Sequence, residues 1–214
     1  TVGLGIRLID EATVWQILLY RSISLSIFLA MVIYLRSHGN FLKVVKAAGF
    51  PGCIAGLALV GAYSGGIYGI QSTSVANAML LFAAAPFMAA MLGWIFLRER
   101  VRKATWVAIL FAIVGIGIMV QDKTQSGAAL LGNLAALGGA FGFAVFSVAL
   151  RWGRSGDMLP AVFLSGIFAI FITSTICFFN GLSFRISVND TSISMGMGVF
   201  QVGAGLVLYT LGSK

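Results

Sequence analysis

The fold is decided by residues 69–103, which read GIQSTSVANAMLLFAAAPFMAAMLGWIFLRERVRK. A membrane helix needs about 20 consecutive, mostly apolar residues, and residues 75–97 supply such a run. The run Ser72-Thr73-Ser74 offers a hydroxyl cap just before it, and Arg and Lys follow its end. Pro86 lies in the middle, where a proline removes one backbone hydrogen bond. We therefore predict a kinked transmembrane helix.

Six further apolar runs of similar length accompany this one, at residues 12–35, 47–70, 104–120, 128–150, 158–179 and 193–211. Residues 1–9 resemble the last turns of another helix whose beginning is absent. Pro51 and Pro160 fall near the first turn of their runs, where a missing N–H costs little. We predict an all-α, polytopic membrane helix bundle with about eight transmembrane helices, numbered first to eighth from residue 1.

The composition supports a membrane protein. Hydrophobic residues make up 59% of the chain and charged residues 9%, against about a quarter charged in soluble proteins. The formal charge of +8 would suggest nucleic acid in a soluble protein, but these basic residues sit between apolar runs. We expect no nucleic-acid partner. Cys53 and Cys177 each lie inside an apolar run, so we expect two buried thiols and neither a disulfide nor a metal site.

Lys and Arg in the short loops predict the orientation, because cytoplasmic loops carry an excess of them. If the first helix crosses from inside to outside, ten of the 14 basic residues lie in cytoplasmic connections. These ten are Arg36, Lys43, Lys46, Arg98, Arg100, Arg102, Lys103, Arg151, Arg154 and Lys214. Arg7, Lys123 and Arg185 lie outside, and Arg21 lies within a span. We predict a cytoplasmic N-terminus.

Several short motifs resemble the EamA family of the drug/metabolite transporter superfamily. They are Ser-Val-Ala-Asn-Ala at 74–78, Pro86, Leu-Arg-Glu-Arg at 97–100, Gly-Ile-Gly at 115–117, Tyr20-Arg21 and the ending at 208–214. The resemblance implies a ten-helix fold of two inverted five-helix repeats with a substrate cavity between them. Residues 1–120 would form the first repeat, with an incomplete first helix. Residues 128–214 would begin the second, whose last two helices are missing, so we expect residues 1–214 alone not to transport.

The same resemblance implies a function. It predicts a multi-pass protein of the cell inner (plasma) membrane that acts as a secondary transporter, an exporter of small metabolites such as amino acids. The expected partners are the lipid bilayer and a small-molecule substrate, with room for a homodimer and without a cofactor. The alternative from another class is a non-transporting integral membrane protein, an assembly or sensory component.

Arg21 is the most informative single residue. A guanidinium near the middle of a membrane helix costs at least ~2.5 kcal/mol, so something should pair with it. An anionic substrate group such as a carboxylate, or a structural partner, would satisfy it. It lies about nine residues into its span, roughly 13 Å deep. The alternative is that its side chain snorkels to the outer interface.

Polar residues on other spans are further substrate-binding candidates. In the third span, Tyr63 and Tyr68 lie beside the small-residue stripe Gly61, Gly65 and Gly69, which we interpret as a helix-packing surface. Their hydroxyls need partners in hydrocarbon, as do the polar groups of Asn77, Gln201 and Tyr209 on the fourth and eighth spans. Each could make an interhelical hydrogen bond or contact substrate. Together with Arg21, these groups predict one shared lining.

The acidic residues and the single histidine give little support for proton coupling, catalysis or metal binding. The six acids, Asp10, Glu11, Glu99, Asp122, Asp157 and Asp190, fall in loops or at helix ends, so no membrane carboxylate for proton coupling is visible. The single histidine, His38, lies in a basic loop away from any membrane serine, which disfavours a serine–histidine protease. No Cys/His or Asp spacing typical of a metal site appears. We predict that the protein is not an enzyme.

Overall fold

The computed structural model describes residues 8–9, 12–37, 40–120, 127–153 and 158–205. Within these ranges the regular structure is helical, without strands, which confirms the all-α prediction. The helices are α1 (Val14–Arg36), α2 (Phe41–Ala47), α3 (Gly49–Ser72), α4 (Val75–Phe82), α5 (Ala85–Leu97), α6 (Lys103–Val120), α7 (Gly127–Trp152), α8 (Leu159–Phe179) and α9 (Val188–Gly196). A π-helix, Met197–Ala204, follows α9 directly.

Five segments within the described ranges are long and apolar enough to cross a bilayer: Val14–Arg36, Gly49–Ser72, Val75–Leu97, Ala129–Trp152 and Leu159–Phe179. They correspond to the second, third, fourth, sixth and seventh predicted spans. The fifth appears as a shorter apolar helix, Lys103–Gly117. The first span and the end of the eighth lie outside the described residues. Their existence therefore stays a prediction.

The predicted kink at Pro86 appears as a two-residue interruption of the α-helix at Ala83 and Ala84, both of which keep right-handed dihedral angles. α4 ends at Phe82, and α5 begins at Ala85 with Pro86 in its first turn. A proline ring clashes with the carbonyl four residues earlier, which here belongs to Phe82, so the α-helical ladder stops there. The predicted hydroxyl cap is also present, since Ser74 Oγ accepts a hydrogen bond from the Asn77 N–H at 3.1 Å.

Two elements differ from the prediction. The loop between the second and third spans contains the short helix α2, which packs against α1 and α8 through contacts that include an edge-to-face pair of Phe41 and Phe163 at 5.3 Å. The eighth span was predicted to begin at residue 193 as an ordinary helix. It begins at Val188 and becomes a π-helix at Met197.

Gly198 and Gly203 account for the π-helix. A side chain on Gly198 would meet Ser24 and the Arg21 carbonyl, and a Cβ on Gly203 would lie 2.6 Å from the Phe28 ring, so both glycines lie against α1. Residues five apart in an α-helix point about 140° away from each other. In a π-helix, which has i→i+5 hydrogen bonds, residues five apart point in more similar directions. The wider winding lets both glycines contact α1.

The chain divides into two compact units, unit one being residues 1–60 with 149–214 and unit two residues 61–148. In unit one, α1 packs against α8, α9 and the π-helix, and its core includes Ile17, Leu18, Leu25 and Leu29. In unit two, α5 packs against α6. The two inverted repeats at 1–120 and 128–214 stay a prediction.

Candidate functional site

The candidate site in unit one is built on α1. Thr13 precedes the helix, and its N–H donates to Gln16 Oε1 at 2.9 Å, as in a capping box. The other end of the Gln16 amide donates from Nε2 to the Ser183 carbonyl at 2.6 Å. The start of α1 is therefore fixed to the segment after α8.

Arg21 lies two turns further along α1 and exposes 5% of its surface. A snorkelling arginine would leave its guanidinium accessible at the edge of the protein. The burial of Arg21 favours enclosure by protein groups over snorkelling. The buried, polar serines of the same helix, Ser22, Ser24 and Ser26, follow at every second position.

The junction of α9 and the π-helix meets α1 directly beside Arg21. Ser24 Oγ donates to the Met195 carbonyl at 2.9 Å and lies 3.0 Å from the Arg21 carbonyl. A Cβ on Gly198 would overlap both Ser24 Oγ and the Arg21 carbonyl oxygen. The α1 backbone at Arg21 and the first turn of the π-helix are thus in backbone contact, which only glycine at 198 permits.

Buried polar atoms without hydrogen bonds gather on these same elements. Ser26 Oγ on α1, Ser194 Oγ on α9 and Gln201 Oε1 on the π-helix have no hydrogen-bond partner among the described residues. Such orphaned groups are rare in folded proteins, because each carries the cost of its lost hydration. Water or a polar ligand would satisfy them. These three atoms are therefore candidate contacts for a polar ligand.

Asp190, which the sequence places at a helix end, lies in the first turn of α9 and is 1% exposed. Its Oδ2 accepts a hydrogen bond from the Ala12 N–H at 3.2 Å. Its position at a helix end was predicted, whereas its burial was not. The Ser187-x-x-Asp190 spacing, typical of a helix start, could have indicated the cap, and Ser187 Oγ does accept from the Asn189 N–H at 3.3 Å.

Three predicted site residues belong to unit two. Tyr63 and Asn77 are half-buried, and Tyr68 is 39% exposed. The glycine stripe beside the tyrosines is a packing surface for α7: a Cβ on Gly65 would lie 2.7 Å from the Gly139 nitrogen, and one on Gly69 3.0 Å from Ala136 Cβ. Gly61 is different, because no atom of the described residues lies within 4 Å of a Cβ built there, and its packing role stays a prediction.

The structure brings Arg21 and Gln201 into the same packed set of helices in unit one. Tyr209 lies outside the described residues. The shared lining predicted for all six residues stays a prediction. In the described part of the chain, His, Cys, Asp and Glu side chains do not gather in groups of three or more.

Comparison with known proteins identifies the family. The model of the EamA-like transporter family matches residues 3–121, more than half of the chain. The chain belongs to the EamA-like transporter family. This EamA-family protein is also 31% identical over 88 residues to the Uncharacterized transporter YetK of Bacillus subtilis (strain 168), a match that covers 38% of this chain and 26% of that protein. No solved structure matches the chain.

Proposed function

We propose that this EamA-family protein is a secondary transporter that exports small metabolites carrying a carboxylate, with amino acids as the leading class. The observation that carries the proposal is the burial of Arg21, which is 5% exposed within a membrane-spanning helix. Such a charge costs at least ~2.5 kcal/mol to insert, and arginines inside membrane segments commonly mark substrate pathways.

The surroundings of Arg21 suit a zwitterion. A guanidinium binds a carboxylate through two parallel hydrogen bonds, which a lysine cannot reproduce. The buried oxygens of Ser194 and Gln201, which have no hydrogen-bond partner within the described ranges, are acceptors for an ammonium group. An α-amino acid carries both groups a few bonds apart. The substrate carboxylate therefore binds Arg21, and its ammonium group binds the acceptors on α9 and the π-helix.

The placement in the cell is part of the proposal. Lys and Arg favour the connections that follow the second, fourth and sixth spans, which puts those connections and the N-terminus in the cytoplasm. The protein then resides in the inner (plasma) membrane as a multi-pass protein. Tyr63, Tyr68, Asn77 and Tyr209 are further substrate-binding candidates that rest on the sequence alone, and so does a homodimer.

A metabolite-efflux screen tests the function. Cells expressing the intact gene are compared with a deletion strain for release of amino acids and related carboxylates, and each candidate is then measured as flux in proteoliposomes. We expect at least one such substrate to move faster than in empty vesicles. Absence of any flux above empty vesicles would support the alternative, a non-transporting assembly or sensory component.

Arg21→Lys tests the site within the same assay. Lysine keeps the charge but loses the paired hydrogen bonds, so flux should fall by about tenfold or more while expression and melting temperature stay unchanged. Arg36→Lys is the matched control, because Arg36 ends the same helix and is exposed. Flux in Arg21→Lys equal to that in Arg36→Lys would remove Arg21 from the binding site.

A further inference from the structure

A cleft of about 650 Å³ lies where α5 ends and α6 begins, in unit two. Its lining residues are Trp94, Ile95, Arg98, Glu99, Arg100, Val101 and Trp106. The chain reverses at Arg98, which adopts the left-handed conformation with φ of 54°, and the Glu99 N–H closes the end of α5 on the Gly93 carbonyl at 3.2 Å. This tight reversal puts the last turn of α5 and the first turn of α6 on either side of the cleft.

The polar side of the cleft is cationic. Arg98 and Arg100 are exposed and line it together with the half-buried Glu99, so the lining carries one net positive charge. Arg102 and Lys103 follow immediately and add two more. Two guanidinium groups around a concave surface are suited to the oxygens of a phosphate or carboxylate.

The other side of the cleft is aromatic and apolar. Trp94 and Trp106 meet edge to face with ring centroids 5.3 Å apart, and both rings line the cleft. Ile95 and Phe96 beside them are 54% and 72% exposed on a helix that spans the membrane. Tryptophan is enriched at the level of the lipid headgroups, between hydrocarbon and water. The cleft thus lies where apolar helix surface changes to charged loop.

We propose that this cleft binds the phosphodiester headgroup of an anionic phospholipid from the surrounding bilayer. Arg98 and Arg100 contact the phosphate oxygens, Trp94 and Trp106 form the wall at headgroup level, and Ile95 contacts the upper part of an acyl chain. A phosphodiester carries one negative charge, which matches the net charge of the lining. Basic pockets next to membrane helices bind anionic headgroups in this way. The apolar wall favours a lipid over free phosphate, and the site is independent of the substrate site on α1.

The test uses the purified intact protein in detergent, titrated with phosphatidylglycerol and followed by native mass spectrometry. The variant Arg98→Gln/Arg100→Gln should bind this lipid about 30-fold more weakly, since each surface cation contributes several-fold to anionic lipid affinity. The control Lys43→Gln/Lys46→Gln removes the same charge from exposed positions on α2 and should retain the parent affinity. Both variants should keep the melting temperature of the parent without lipid, because all four side chains are exposed.

Three results would overturn the proposal. Equal loss in the two double variants would mean diffuse attraction without a site. Equal affinity for phosphatidylcholine would mean that the anionic charge is not recognised. Inorganic phosphate that binds as tightly as the lipid, and displaces it, would mean a free-phosphate site in which the aromatic wall has no role. Selective binding of phosphatidylglycerol, lost only in Arg98→Gln/Arg100→Gln, supports it.

Discussion

Ser24 Oγ of α1 donates a hydrogen bond to the Met195 carbonyl of α9 at 2.9 Å. This bond holds the junction of α9 and the π-helix against α1 one turn after Arg21. The π-helix, with its i→i+5 hydrogen bonds, begins two residues later at Met197. The contact therefore sets the register in which Gly198 and Gly203 meet α1 and in which Ser194 and Gln201 are buried.

Gly198→Ala tests this close approach. A methyl group at 198 would overlap Ser24 Oγ and the Arg21 carbonyl, and a backbone carbonyl cannot rotate away as a side chain can. We expect a loss of about 3 kcal/mol and a melting temperature roughly 6 °C lower in detergent. Gly196→Ala is the matched control, because none of the residues that the structure describes comes within 4 Å of a Cβ there, and it should melt like the parent. A Gly198→Ala variant as stable as Gly196→Ala would show that the two elements pack differently.

The glycine stripe on α3 gives a second matched pair. Gly65→Ala places a methyl group 2.7 Å from the Gly139 nitrogen and 2.9 Å from its Cα, so α3 and α7 must separate and the protein should lose about 2 kcal/mol. Gly61→Ala meets no atom of the described part of the chain within 4 Å and should be neutral or slightly stabilising, since alanine favours helix. Thermal melting of both variants measures the difference. Equal destabilisation by the two substitutions would contradict the packing of α3 on α7.

The backbone conformation at Arg98 leads to a prediction about thermal stability. With φ of 54°, this residue has a left-handed conformation that costs an ordinary side chain roughly 1 kcal/mol and glycine almost nothing. Arg98→Gly should therefore melt at or above the parent temperature. Arg98→Val should melt several degrees lower, because a β-branched residue is poorly tolerated there. The reverse order of melting temperatures would show that the reversal after α5 has another geometry.

Thiol labelling tests the orientation. In a background with Cys53→Ala and Cys177→Ala, a cysteine at Ser37 should react with a membrane-impermeant reagent from the cytoplasmic side. A cysteine at Ser187 should react from the outside. The reason is the excess of Lys and Arg in the connections on the Ser37 side. The cysteine-free background is the control for unspecific labelling, and reaction of both positions from the same side would refute the topology.

The membrane helices could be predicted from the sequence because each needs a run of about 20 apolar residues, and no soluble alternative explains so few charges. Pro86 and Ser74 were informative for the same local reason: a missing N–H and a capping hydroxyl act on their own helix. Helix α2 was missed because it has seven residues and is held by a partner far along the chain, Phe163. The stability of α2 therefore comes from this distant contact and not from the local sequence pattern.

At the candidate site, Arg21 was visible in the sequence because a charge inside an apolar run stands out. Ser24 and Ser194 were not, since serine is common in membrane helices and only the fold shows which serines are buried. One feature of the sequence does indicate the π-helix. Gly198 and Gly203 are five residues apart, a spacing that does not fit one face of an α-helix. The burial of Asp190 depends on contact with Ala12, 178 residues earlier, which no local pattern reveals.

The central claim is that Arg21 binds the carboxylate of a transported substrate, and the most direct measurement is substrate-induced thermal stabilisation of the intact protein and its Arg21→Leu variant. Each is melted with the transported amino acid and with the corresponding decarboxylated amine. We expect the amino acid to raise the melting temperature of the parent, the amine to have little effect, and Arg21→Leu to respond to neither while expressing normally. An Arg21→Leu variant that is stabilised by the amino acid, and transports it, to the same extent as the parent would contradict the account.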